Sequence, residues 1–204
     1  RRERGVRPHV VIALALVALV AFIAWRSELW SVQAPGRRPE PLVLLPENAR
    51  EEVRFDVVLP CIPTGLKRIT APNVATLVHY WAPWEQGSRA QAAMLDSLAH
   101  AEPYAGLQVV LVCFDPFPSV ARFVGRAHLK LPVLLDGGHA LARTLPCPSI
   151  PTTYVLDARG RVVVRQSGTV DWWDPATLAT LRRVMAEPAL PVAPPPPRAV
   201  VPPS

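Results

Sequence analysis

The chain has 204 residues, half of them hydrophobic, with 25 prolines, three cysteines and a formal net charge of +6. That size and apolar content support one domain with a buried core plus appendages. Arg1, Arg2, Arg4 and Arg7 against Glu3 put +3 of the charge in the first nine residues, leaving +3 for the rest, and no basic stripe interleaved with aromatics follows, so the balance does not describe a nucleic-acid surface.

Residues 1–9 read as a basic N-terminus. VVIALALVALVAFIAW, residues 10–25, carries no charge. At about 1.5 Å per residue it spans roughly 24 Å, near the lower limit for a spanning helix. Trp25 and Trp30 extend it into the interface, so residues 10–30 are read as a single transmembrane anchor. The arginines should stay cytoplasmic, with the C-terminal bulk on the other side. The competing reading is a cleaved leader ending near Val32-Gln33-Ala34, but Pro35 would then follow the cut, which suits a signal peptidase poorly.

Residues 31–52 hold Pro35, Gly36, Pro39, Pro41 and Pro46 and read as a stalk. VRFDVVL (53–59) and LKRI (66–69) bracket CIPTG and predict a hairpin. VATLVHYWA (74–82) is an apolar, β-branched run that predicts a strand buried on both faces. SRAQAAMLDSLAHAE follows with Ala92, Leu95, Leu98 and Ala99 at helical spacing. LQVVLVCFD (107–115) is a second buried strand, SVARFVGRAHL (119–129) a short helix, PVLLD a strand and GGHALARTL a further helix. SIPTTYVLDARGRVVVRQSG predicts two antiparallel strands around Asp157–Gly160. DPATLATLRRVMAE closes with Asp174 as N-cap, Pro175 at the first helical position and an apolar face of Leu178, Leu181 and Met185. Residues 188–204 are proline-rich, favour polyproline II and cannot form a packed core. Parallel βαβ units first and an antiparallel pair last give a mixed, centrally buried sheet with helices on both faces.

This order of elements resembles the thioredoxin fold, and more narrowly the membrane-anchored, extracytoplasmic thioredoxin-like proteins of the TlpA/ResA/CcmG type. Three stretches carry the resemblance: VATLVHYWAPW, SIPTTYVLDARGRVV and QSGTVDWWDPATL. It covers residues 53–187 as an α/β thioredoxin-like domain with an N-terminal β-hairpin extension. It implies a bacterial inner-membrane protein whose domain faces the periplasm. It also implies that Pro151 is cis.

The redox cysteines of such proteins would fall at Glu85 and Ser88, in EQGS. Thiol–disulfide exchange needs an attacking thiolate and a resolving thiol, and neither residue supplies one. A carboxylate and a hydroxyl are, however, sound residues for a helix start. The site reads as degenerate, with no catalytic residue. The resemblance implies a groove for an extended partner segment at Trp84, Glu85, Gln86, Ile150 and Pro151, and strand-like pairing there needs no cysteine.

Cys113 reads as an inert core residue in its strand. Cys61, in the hairpin turn, and Cys147, in the loop before Pro151, form a candidate disulfide if the domain is extracytoplasmic. No Cys/His cluster has zinc spacing, so neither metal nor cofactor is expected. Copper delivery would call for soft ligands, and Met94 and Met185 both read as helix-core residues. His79, His100, His128 and His139 are scattered and read as surface or capping residues. The leading expectation is a redox-inactive, membrane-tethered accessory or assembly subunit of a membrane complex, respiratory by analogy with relatives, bound to integral membrane partners. The alternative is an atypical thiol–disulfide oxidoreductase using Cys147, with or without Cys61.

Overall fold

The computed structural model describes residues 39–187 apart from 64, 71–73, 103 and 105. The expected anchor at 10–30, the first part of the stalk and the tail at 188–204 lie outside the described residues. Among the described residues, no helix is long and apolar enough to cross a membrane.

Seven strands form one mixed sheet: β1 (Asp56–Ile62), β2 (Leu66–Thr70), β3 (Thr76–Tyr80), β4 (Gln108–Cys113), β5 (Val133–Leu135), β6 (Thr152–Leu156) and β7 (Val162–Ser167). Their spatial order is β2-β1-β5-β4-β3-β6-β7. The β3–β4 and β4–β5 pairs are parallel, and the other pairs are antiparallel. Among the described residues there are three α-helices, α1 (Gln86–Ala99), α2 (Phe117–Ala127) and α3 (Pro175–Met185), and a 3-10 turn at Glu47–Ala49.

Side chains alternate across the central strands as a doubly covered sheet requires. Leu77, Leu111, Val133 and Val155 face one core, where they meet Ala92, Leu95 and Leu98 of α1, Val120 and Val124 of α2, and Leu181 and Val184 of α3. Val78, Val112, Leu134 and Tyr154 face the other core. Each fully buried leucine or valine contributes roughly 1.5–3 kcal/mol. The crossovers β3–α1–β4 and β4–α2–β5 step the same way along the sheet, which puts both helices on one face.

The structure therefore corrects the expectation of helices on both faces. The second face is covered by residues 139–147 and by the chain around Leu45 and Phe55. GGHALARTL, expected as a helix, is a series of turns. The Asp136 carboxylate accepts the backbone N–H groups of Ala140, Leu141 and Ala142 at 2.6–3.1 Å, and His139 sits at φ 54°. These local bonds compete with a helical ladder, and Pro146 stops its growth.

The stalk expectation also fails from residue 39 onward. Leu42 is only 4% exposed in the helical core, and its N–H donates to Thr177 Oγ1 at 3.1 Å. Leu45 N–H donates to Val163 O, Val53 N–H donates to Gly160 O, and Glu40 and Glu52 bridge to Val170 and Arg161. This strap lies along β7 and covers that edge of the sheet. The buried carboxylate of Asp157 pins the β6–β7 turn, accepting Arg159 N–H, Arg161 N–H and Arg161 Nε–H. Arg161 also pairs with Glu47 of the strap and Glu187 after α3.

Candidate functional site

The C-terminal ends of parallel strands are where open α/β sheets place ligands, because the chain turns there to begin the following helices. Here β3 runs into Trp81-Ala82-Pro83-Trp84, and α1 begins with Glu85 as its N-cap. The Glu85 carboxylate accepts the N–H groups of Gly87, at 3.0 Å, and Ser88. Two of the helix's four unpaired donors are satisfied in this way. A Cβ on Gly87 would stand 3.3 Å from Glu85 Oε1 and 3.1 Å from Thr169 Cγ2, so glycine gives the carboxylate its room.

Ser88 is fully buried, and its Oγ accepts the Ala82 N–H at 2.9 Å. The hydroxyl reaches back to tie the helix to the end of β3.

Trp84 and Ile150 line one cleft of about 260 Å³ with Trp81, Ala82, Phe114, Asp115 and Pro116. A second cleft of about 440 Å³ shares Phe114, Asp115 and Pro116 and continues past Phe117 to Leu59 and Pro60. Trp84 is 67% exposed and Phe117 59% exposed. The Ile150–Pro151 bond is cis, and Pro151 is buried behind the cleft. Glu85 and Gln86 are not among the residues lining either cleft. Phe114, Asp115 and Pro116 were missed in the sequence. Their signal was FDPFP at the C-terminal end of a buried parallel strand, where an aromatic–proline cluster has no packing partner in its own element.

Cys113 is fully buried, its thiol lies 3.5 Å from Asp115 Oδ2, and burial pushes its pKa up to about 12. Cys61 belongs to β1 and packs in the second core, rather than lying in the hairpin turn. Cys147 is half-buried beside the cis proline loop, and its thiol donates to Ser149 O at 3.2 Å. Burial raises its pKa, which reduces its thiolate fraction.

The candidate Cys61–Cys147 bond is not made: both cysteines are thiols in the structure. Strand order gives the reason. Tyr154 OH of β6 donates to Pro146 O, holding Cys147 near β6. β1 lies four strand positions from β6, about 19 Å at roughly 4.8 Å per spacing, whereas disulfide Cα atoms lie within about 7 Å.

His79 overturns the surface expectation. It is 0% exposed, its Nδ1 lies 2.9 Å from Thr153 Oγ1, and its ring meets the edge of Trp172 at 6.0 Å. Burial lowers its pKa to about 3, so it is neutral. No hydrogen bond reaches its Nε2 in the structure. The other three histidines among the described residues are exposed: His100 and His128 cap α1 and α2, and His139 stacks on Phe114. Met94 is 40% exposed rather than buried. Among the described residues, no group of three or more His, Cys, Asp or Glu side chains is arranged to hold a metal ion.

Solved structures share this fold with the chain. A candidate thiol:disulfide interchange protein DsbE from Chlorobium tepidum matches with a TM-score of 0.58 at 18% identity, covering 67% of this chain and 97% of the other.

The domain is thioredoxin-like.

A secreted thiol-disulfide isomerase from Corynebacterium glutamicum matches the thioredoxin-like domain at 18% identity and TM-score 0.54, covering 74% of this chain and 93% of its own. A secreted Mycobacterium tuberculosis disulfide oxidoreductase, described as homologous to E. coli DsbE, matches at 15% identity and TM-score 0.52, covering 62% and 95%. The AhpC/TSA family model matches residues 65–165, from the start of β2 to Arg165 in β7. No curated protein matches the chain by sequence.

Proposed function

We propose that the thioredoxin-like domain is a redox-inactive binding module, tethered to a membrane through residues 10–30, and that it serves a membrane protein complex as an accessory or assembly subunit. One observation carries this reading. Both positions that would hold redox cysteines are committed to building the helix start: Glu85 caps α1, and Ser88 ties it to Ala82. The groove beside them keeps an exposed indole and the cis proline loop, so it can hold an extended protein segment without reacting with it. The periplasmic face of a bacterial inner membrane is the proposed location. The secreted proteins among the structural matches favour an extracytoplasmic setting.

The test is to purify the full chain in mild detergent with its bound proteins. Retention of a stoichiometric partner by the variant with all three cysteines changed to serine, together with its loss in Trp84→Ala, is the expected result. Loss of the partner in the serine variant would overturn redox inactivity.

A second reading, thiol exchange through Cys147, is favoured by that residue's position against the Ile150–Pro151 loop. Its raised pKa weighs against it. Trapping of a mixed disulfide at Cys147 during turnover would establish the second reading in place of the first.

A further inference from the structure

Strand register brings three loops to one end of the sheet. Tyr80 closes β3 and pairs with Val112 near the end of β4 and with Thr152 at the start of β6. Thr152 pairs in turn with Ser167, which closes β7. Residues 81–85, 114–118 and 168–174 therefore leave their strands at the same end. Two of these loops are tied together through α1. Thr169 Cγ2 crowds the Gly87 position, and Gln91 exchanges two 2.9 Å hydrogen bonds with the backbone of Val170.

This end is aromatic on its outside. Among the described residues, the tryptophan and phenylalanine side chains with at least half of their surface in solvent are Trp84, Phe117 and Trp173, and each lies in one of these loops. They are distributed over the ends of β4, β3, β6 and β7, about 14 Å across at roughly 4.8 Å per strand spacing. Exposed apolar surface gathered in this way marks a contact with a partner or a membrane.

The chain also enters the domain here. Glu40 N–H donates to Thr169 O at 3.3 Å, and Asp171 N–H donates to Glu40 O at 3.1 Å. Pro39, the first described residue, thus stands beside the loop that carries Trp173. The uncharged stretch at residues 10–25 precedes it in the sequence, so a tether through that stretch is joined to the domain at its aromatic end.

Charge narrows the choice of surface. The three loops hold Glu85, Asp115, Asp171 and Asp174 and no basic residue. The Arg89 guanidinium, in α1, donates to Pro83 O at 2.8 Å. An acidic end is repelled by anionic lipid headgroups. Carboxylates and indole faces both attract an ammonium group, which zwitterionic phospholipids carry outermost. Indole rings favour the membrane interface, where the apolar ring and the polar N–H are both accommodated.

We propose that this end of the domain lies on a bilayer of zwitterionic, ammonium-bearing phospholipid, with Trp84, Phe117 and Trp173 in its interface. This rests on the tether of the proposed function. The groove then opens toward the lipid surface, and the segment it takes belongs to the part of a membrane protein that lies close to that surface.

The test places the full chain in nanodiscs of phosphatidylcholine with plain or brominated acyl chains and reads tryptophan emission. Bromine quenches indoles at the acyl boundary. The emission lost to bromine should be smaller in Trp84→Phe and in Trp173→Phe than in the parent chain, and smaller again in the double variant. Phe117→Asp should reduce the loss without touching an indole and without changing the melting temperature. Adding phosphatidylglycerol should leave the loss unchanged or lower it. A loss equal to the parent's in either tryptophan variant, or one that needs anionic lipid, overturns the proposal. A chain that stays out of the discs overturns the tether and the proposal together. If Trp84 and Trp173 are unquenched in the discs while Trp84→Ala still releases a partner, the membrane face is rejected and the binding groove stands. If both are quenched but partner retention ignores Trp84, the membrane face stands and the groove reading falls.

Discussion

The Glu85 carboxylate accepts the N–H of Ser88, and the Ser88 hydroxyl accepts the N–H of Ala82, so one chain of bonds links the end of β3 to the first turn of α1. Glu85→Ala should cost about 1 kcal/mol through loss of the cap. Ser88→Ala should cost about 1–3 kcal/mol, because the Ala82 N–H is left buried without an acceptor. The two losses should not add, since they share one network. Urea unfolding of both single variants and the double variant measures this; strict additivity would show the two bonds to be independent.

His79 predicts an acid limb of stability. Its pKa is about 3 in the folded protein against 6.5 for the free side chain, so between those values the unfolded chain binds the extra proton. Stability should be complete above about pH 6.5 and fall below it, by up to about 1.4 kcal/mol per pH unit. Glu47 and Asp56, both held below ordinary carboxylate values by Arg161 and Arg68, enter only at lower pH. The window from pH 6.5 to 5 therefore isolates the histidine. His79→Gln should flatten the urea midpoint across that window. A wild-type midpoint that rises on acidification would mean a charged histidine in the core.

Thiol reactivity should be ordered by burial. An alkylating reagent at pH 8 should label Cys147 slowly and leave Cys61 and Cys113 untouched until denaturant is added, read by peptide mass analysis. Rapid labelling of Cys113 would contradict its place in the helical core.

The strap should be part of the domain's stability. Leu42→Ala should cost about 2–5 kcal/mol as a buried large-to-small change. Thr177→Val should cost about 1–3 kcal/mol by leaving Leu42 N–H without its acceptor. A midpoint unchanged in both variants would return residues 39–52 to the status of a loose linker.

The parts legible in the sequence were those with a strong local period. The β3 and β4 runs, α1, α3 with its Asp174 cap, and the β6–β7 pair around Gly160 all lie within about three residues of expectation. Helix and linker signals failed where distant groups decide. The apolar spacing of Ala140, Leu141 and Leu145 suits a helix, but the Asp136 carboxylate takes the backbone N–H groups of Ala140, Leu141 and Ala142. The prolines around PLVLL read as a linker, although Leu42, Leu44 and Leu45 carry enough apolar surface to be drawn onto the domain. Within the site, the resemblance named Trp84 and Ile150, and the fold sets both along one cleft. The burial of His79 did not, because only the pairing of β3 with β6 puts Thr153 beside it and closes Trp172 over it.

The strap along β7 also limits how copies of this domain can assemble. A sheet with two bare edges can recruit neighbours on both sides and grow without end. Here residues 40–53 occupy one edge, and among the described strands the other edge is β2, which carries Lys67 and Arg68. Among the described residues, strand-to-strand pairing of copies through β2 alone would close as a two-fold pair and leave no second sheet edge from which a filament could continue.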